Sequence, residues 1–123
     1  MAAPKYSISK VVAAAEAGRV ELAWERAKKI VHDYVPSFLA AIRFSEALVA
    51  SLEEKHFVRT VVLDLPPYSD AFDEYLRHLP AAVAKEFGLQ SVRDWYVKLR
   101  LVEDDHGDPV VCISMHPAER KRH

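Results

Sequence analysis

Near the C-terminal end, a phenol, an ammonium and a guanidinium take alternate positions: Tyr96, Lys98 and Arg100 are separated by Val97 and Leu99. Ser114 and His116 repeat the alternation between Ile113 and Met115. A period of two puts each polar set on one face of a β-strand. Residues 95–102 and 110–116 flank a polar loop with one glycine, Glu103-Asp104-Asp105-His106-Gly107-Asp108, the usual connection of a hairpin. Pairing Val102 with Val110 places Tyr96 directly opposite His116, with Cβ atoms ~5 Å apart. A slip of two residues would set Tyr96 against Ser114 and still keep the face.

That face suits one reaction in particular. Cleavage of RNA by its own 2′-hydroxyl needs a base for the 2′ proton, a cation beside the phosphorane and an acid for the leaving 5′ oxygen. Imidazoles ordinarily titrate near neutrality, so His116 fits either proton-transfer role. Lys98, Arg100 and Arg59 can supply positive charge, and Arg120, Lys121 and Arg122 can hold flanking phosphates. Tyr96 can orient His116 or stack a base. The plain alternative is a strand that shows these residues to water.

Other signals point elsewhere. Arg26 and His32 match the R-x4-6-H spacing of HEPN ribonucleases, a helical family, but the Val-rich second half does not suit an all-helical fold. The six histidines include no i,i+4 pair and no partnering cysteine, so no metal site is expected. Asp104, Asp105 and Asp108 lack the spacing of a calcium loop and read as a solvated turn. No GxGxxG, P-loop or G-x-S-x-G motif occurs, and no cofactor is implied. The single cysteine, Cys112, lies in an apolar run and reads as a small buried hydrophobe.

These residues must be positioned by an α+β fold. Ser7 can cap a first helix through Ile8, Val11, Val12 and Ala15, stopped by Gly18. A second helix is predicted over 21–34, with a stripe of Leu22, Trp24, Ala27, Ile30 and Val31, ended by Pro36. Ser37 opens a third, with Phe38, Ala41, Ile42, Ala47, Leu48 and Leu52 at helical spacing. Residues 57–65 read as a strand covered on both faces. Ser69 and Asp70 look like a helix start, with Phe72, Tyr75, Leu76 and Leu79 as its stripe, and a short helix over 80–87 ends at Gly88. The expected architecture is N-terminal helices packed on a small antiparallel β-sheet that contains 57–65 and a C-terminal β-hairpin. One domain over 1–123 is expected: a helical half at about 7–55, a sheet half at about 56–117 and a short basic tail at 118–123.

Composition narrows the class. Half of the 123 residues are apolar, enough for one core. Seventeen basic and eighteen acidic residues give a net charge of −1, so the chain is no obvious polyanion binder. Its start, MAAPKYSISK, lacks the build of a signal peptide, and no apolar run is long enough to span a membrane. A cytoplasmic protein with a reduced thiol is expected.

Five segments, taken in order, carry a family likeness: Ile8-Ser9-Lys10-Val11-Val12 through Gly18-Arg19-Val20; Phe57-Val58-Arg59-Thr60; Phe72-Asp73-Glu74-Tyr75; Tyr96-Val97-Lys98; and Ile113-Ser114-Met115-His116. They are similar to S-x-V-K-x-x-V-x-x-G-x-V, F-Y-K-S-M-T, W-Q-D-V-Y, Y-L-K and V-S-F-K, and the chain resembles the MqsR family of RelE-like bacterial toxins. The resemblance implies a RelE-like fold and a metal-independent mRNA endoribonuclease of a type II toxin–antitoxin pair, neutralised by a cognate antitoxin. It places Arg59, Tyr96 and His116 at functional positions, with Asp73 and Tyr75 nearby. Phe72 stands where the family carries a glutamine and cannot replace an amide. That departure keeps open a non-catalytic interaction module with the same fold.

Overall fold

The computed structural model describes residues 3–23, 25–65, 68–89 and 94–118. Helix α1, Ile8–Glu16, turns Val11, Ala14 and Ala15 inward at helical spacing. The chain leaves it through Gly18, whose φ of 75° is the left-handed region that glycine enters without strain. Strand β1, Val20–Leu22, follows, then α2, Glu25–Tyr34, and α3, Phe38–Ala50. Ser37 caps α3 by accepting a hydrogen bond from the Ala40 amide at 3.4 Å. Beyond a short 3-10 turn lie β2, Phe57–Leu65, and β3, Tyr68–His78. Helix α4, Ala81–Phe87, ends at Gly88, and β4, Asp94–Glu103, and β5, Pro109–Pro117, close the chain.

The strands form one mixed sheet in the order β1-β5-β4-β3-β2. Strand β1 runs parallel to β5, and the other three pairings are antiparallel. The α+β class is as expected, but the sheet is not wholly antiparallel. All four helices contribute to the core on one face, where Trp95, Val97, Leu99, Ile113 and Met115 meet Val11, Val31, Phe44 and Leu48. Among the described residues no helix is long and apolar enough to cross a membrane.

Three local expectations are corrected. The helix over 21–34 begins later, because Val20–Leu22 is held as a strand by β5; the Ala23 amide donates to the Ile113 carbonyl at 2.7 Å. Trp24 and the side chain of Ala27 lie outside the described residues. The helical stripe at 69–79 is instead strand β3. Its spacing misleads because Phe72 and Leu76 fall on one face and Tyr75 on the other, while β2 and β4 bond its backbone from both sides. Strand β2 is an edge strand and not a covered one: Val58 is exposed, and Val62 is 77% exposed.

The 104–108 loop is braced rather than merely solvated. Asp104 Oδ1 accepts from the amides of His106 and Asp108, while Arg19 spans Asp104 and Asp108 at 3.0 and 3.1 Å. The Asp108 amide first, then the His106 amide and Arg19, hold the Asp104 carboxyl below its ordinary value near 3.8. A depressed carboxyl stabilises the fold above its ordinary value and loses that contribution as pH falls through the folded one. Asp104→Asn is therefore expected to lower Tm at pH 7, with the gap to wild type closing below about pH 4. Thermal melts from pH 2 to 7 check this, with Asp105→Asn as control; a gap that does not depend on pH would count against it.

Candidate functional site

The sheet face opposite the helical core holds the site. Tyr96 pairs with His116 on β5, the register read from the alternation of residues 95–116, and on its other side with Leu76 of β3, which that alternation did not place. Paired residues share a face, so the Tyr96 and His116 rings lie side by side, 5.5 Å between centroids and tilted by 39°. His116 Nδ1 lies 3.1 Å from the Pro117 carbonyl. A carbonyl can only accept, so Nδ1 carries the hydrogen and the neutral ring has its lone pair on Nε2.

The next row along the sheet is charged. Lys98 pairs with Ser114 on one side and Glu74 on the other, and Glu74 pairs in turn with Arg59. Arg59 reaches this face through a bulge. Phe57 pairs with Tyr75 and Arg59 with Glu74, so two steps on β2 answer one on β3. Glu74 is the hub: Oε1 accepts from Arg59 Nε at 3.1 Å, and Oε2 lies 3.8 Å from Lys98 Nζ. Its side chain is 7% exposed against 68% for Arg59, so the carboxylate is sunk while the guanidinium stays in water. Farther along, Arg100 meets Asp70 at 3.0 Å. The Ala71 amide and then Arg100 hold the Asp70 carboxyl below its ordinary range. Arg59, Lys98 and Arg100, three of the cations read from the sequence, are thus matched by two carboxylates, Glu74 and Asp70, that the alternation of residues 95–116 did not place.

Distance separates these residues into a centre and flanks. Lys98 and His116 stand one strand and one row apart, roughly 8 Å between Cα atoms at ordinary sheet spacings. Arg59 is three strands from His116, roughly 16 Å on the same basis. Of Lys98 and Arg59, Lys98 is therefore the nearer to the imidazole, and Arg59 sits at the rim.

The remaining candidates lie elsewhere. Asp73 and Tyr75 face the helical side and are fully buried. Asp73 is a structural acceptor, taking hydrogen bonds from the amides of Lys5 (3.0 Å) and Tyr6 (2.8 Å) and from Thr60 Oγ1 (2.7 Å). Burial, with Asp73 and Glu54 adding to it, pushes the Tyr75 phenol up to about 12, so it stays protonated at neutral pH. Cys112 is buried on the site face, and burial followed by Glu21 pushes its thiol up, away from the reactive thiolate. His32 is exposed on α2, whereas the Arg26 side chain lies outside the described residues, as do Arg120, Lys121 and Arg122. Among the described residues no three His, Cys, Asp or Glu side chains cluster as a metal ion would require.

No family model, curated protein or solved structure matches the chain.

Proposed function

We propose that this chain is a metal-independent mRNA endoribonuclease, the toxin of a type II toxin–antitoxin pair, acting in the cytoplasm and neutralised by a cognate antitoxin. The observation that carries the reading is the Tyr96–His116 pair with Lys98 in the adjoining row, on the sheet face away from the helices. His116 exchanges protons through Nε2, and its Nδ1 bond to the Pro117 carbonyl fixes the ring. Lys98, with Arg59 at the rim, offsets charge developing on the phosphorane. Tyr96 holds the imidazole from the side and offers a ring on which a base can stack. No cofactor is needed, because imidazole and ammonium groups together supply proton transfer and charge.

One observation favours a second reading. Glu74 takes up Arg59 and Lys98, and Asp70 takes up Arg100, so the face is close to neutral instead of a strong polyanion surface. A non-catalytic interaction module that retained the fold would look like this. Induced expression in bacteria separates the two. The toxin reading expects wild type to arrest growth, with His116→Ala and Tyr96→Ala, which removes the ring beside the imidazole, restoring it. Unimpeded growth with soluble wild-type protein present would leave the interaction reading.

A further inference from the structure

A second imidazole shares this face. His78 is the last residue of β3 and pairs with Asp94, the first residue of β4. Each stands two residues beyond the Leu76–Tyr96 pair, which places both on the side of the sheet that carries Tyr96 and His116. His78 Nδ1 lies 2.7 Å from Asp94 Oδ1, and the side chains are 69% and 47% exposed. An ionised carboxylate can only accept, so Asp94 fixes the hydrogen on Nδ1 and leaves the lone pair of the neutral ring on Nε2. His116 reaches the same tautomer through the Pro117 carbonyl.

The two rings stand on the strands either side of β4, with Tyr96 between them. Two strand spacings and two residues separate them, roughly 12 Å between Cα atoms. Each ring carries Nε2 roughly 4–5 Å from its own Cα. With that reach, rings turned toward each other across Tyr96 can span the roughly 6–9 Å that hydrogen bonds to the entering and leaving oxygens of one phosphorane require. In-line attack needs its base and its acid on opposite sides of phosphorus, and a single imidazole cannot serve both in one step. Glu74, the nearby carboxylate in the row on the other side, is held by Arg59 and Lys98.

We infer that His78, oriented by Asp94, is the second catalytic residue: the general base opposite His116 for cleavage of a ribonucleotide phosphodiester. This rests on the endoribonuclease reading above. His78 Nε2 takes the proton of the 2′-hydroxyl as that oxygen bonds to phosphorus. The bond from phosphorus to the 5′ oxygen breaks, and imidazolium His116 gives its Nε2 proton to that oxygen. The products are a 2′,3′-cyclic phosphate and a free 5′-hydroxyl, and both imidazoles return to their starting states by exchange with water.

An RNA oligonucleotide with sulfur in place of the bridging 5′ oxygen tests this, because a thiolate leaves without an acid. Full-length wild type, His116→Ala, His78→Ala, His78→Gln and Asp94→Asn are compared on the sulfur and oxygen substrates, with melting temperatures confirming that each is folded. His116→Ala should lose about 10²–10⁴-fold on the oxygen substrate and recover on the sulfur one. Both His78 variants should lose a similar factor on both substrates, since the 2′ proton must still be removed. Asp94→Asn should lower kcat and leave KM unchanged. His78 variants that cleave like wild type, or that the sulfur substrate rescues, would overturn the assignment while the endoribonuclease reading stands. A folded wild-type chain inert on both substrates would overturn that reading and this inference together.

Discussion

Replacing His116 by alanine is expected to lower kcat/KM for an RNA oligonucleotide by about 10²–10⁴-fold, the usual contribution of a positioned proton-transfer group. The expectation rests on His116 standing beside Tyr96 with Nδ1 bonded to the Pro117 carbonyl. Because the imidazole sits on an open strand face, removing it leaves a space that a small molecule can enter. Added imidazole should then restore part of the rate to His116→Ala and none to His116→Lys, whose side chain fills the position. The substitution lies away from the helical core, so Tm should change little. Single-turnover cleavage with and without imidazole measures this. An alanine variant as fast as wild type would return His116 to the role of a solvated strand residue.

Phe44→Ala should cost about 3–5 kcal/mol of folding stability, the range for removing a large buried aromatic. Phe44 is fully buried on α3 and makes edge-to-face contacts with Phe87 of α4, 5.4 Å between centroids, and with Trp95 of β4, at 5.1 Å. It therefore ties two helices to the central strand that also carries Tyr96 and Lys98. For a domain whose whole stability is about 5–15 kcal/mol, such a loss leaves a sizeable unfolded fraction at 37 °C. Urea denaturation followed by tryptophan fluorescence reads the change in midpoint. A cost below about 1 kcal/mol would mean that α3 and α4 close over the gap, and that this contact does not hold the sheet in place.

The face and register of β4 and β5 were legible because strand alternation is a local signal. Tyr96, Lys98 and Arg100 alternate with buried Val97 and Leu99, and the matching pattern around Ser114 sets both face and register from residues close in sequence. Helices α1 and α3 were legible for the same kind of reason: their buried positions recur every three to four residues, and their ends carry Gly18 and Ser37. His78 was missed because its segment reads as a helix, in which it would share no face with His116. Its face became evident only once β3 was seen to pair with β4.

The sequence by itself determined the α+β class, helices α1 and α3, and the polar face of β4 and β5, since each depends on periodicity within a short stretch. The tertiary structure alone decided that residues 68–78 are a strand, that β1 lies parallel to β5, and that β2 forms the edge. It also decided the chemistry around the site: a bulge in β2 turns Arg59 toward Glu74, and Glu74 and Asp70 take up the cations that the sequence offers as free. These features arise from backbone pairing and charge contacts between residues far apart along the chain. A pairing of that kind leaves no period in either strand, because the partner that satisfies each hydrogen bond or charge is chosen by the fold and not by its neighbours in sequence.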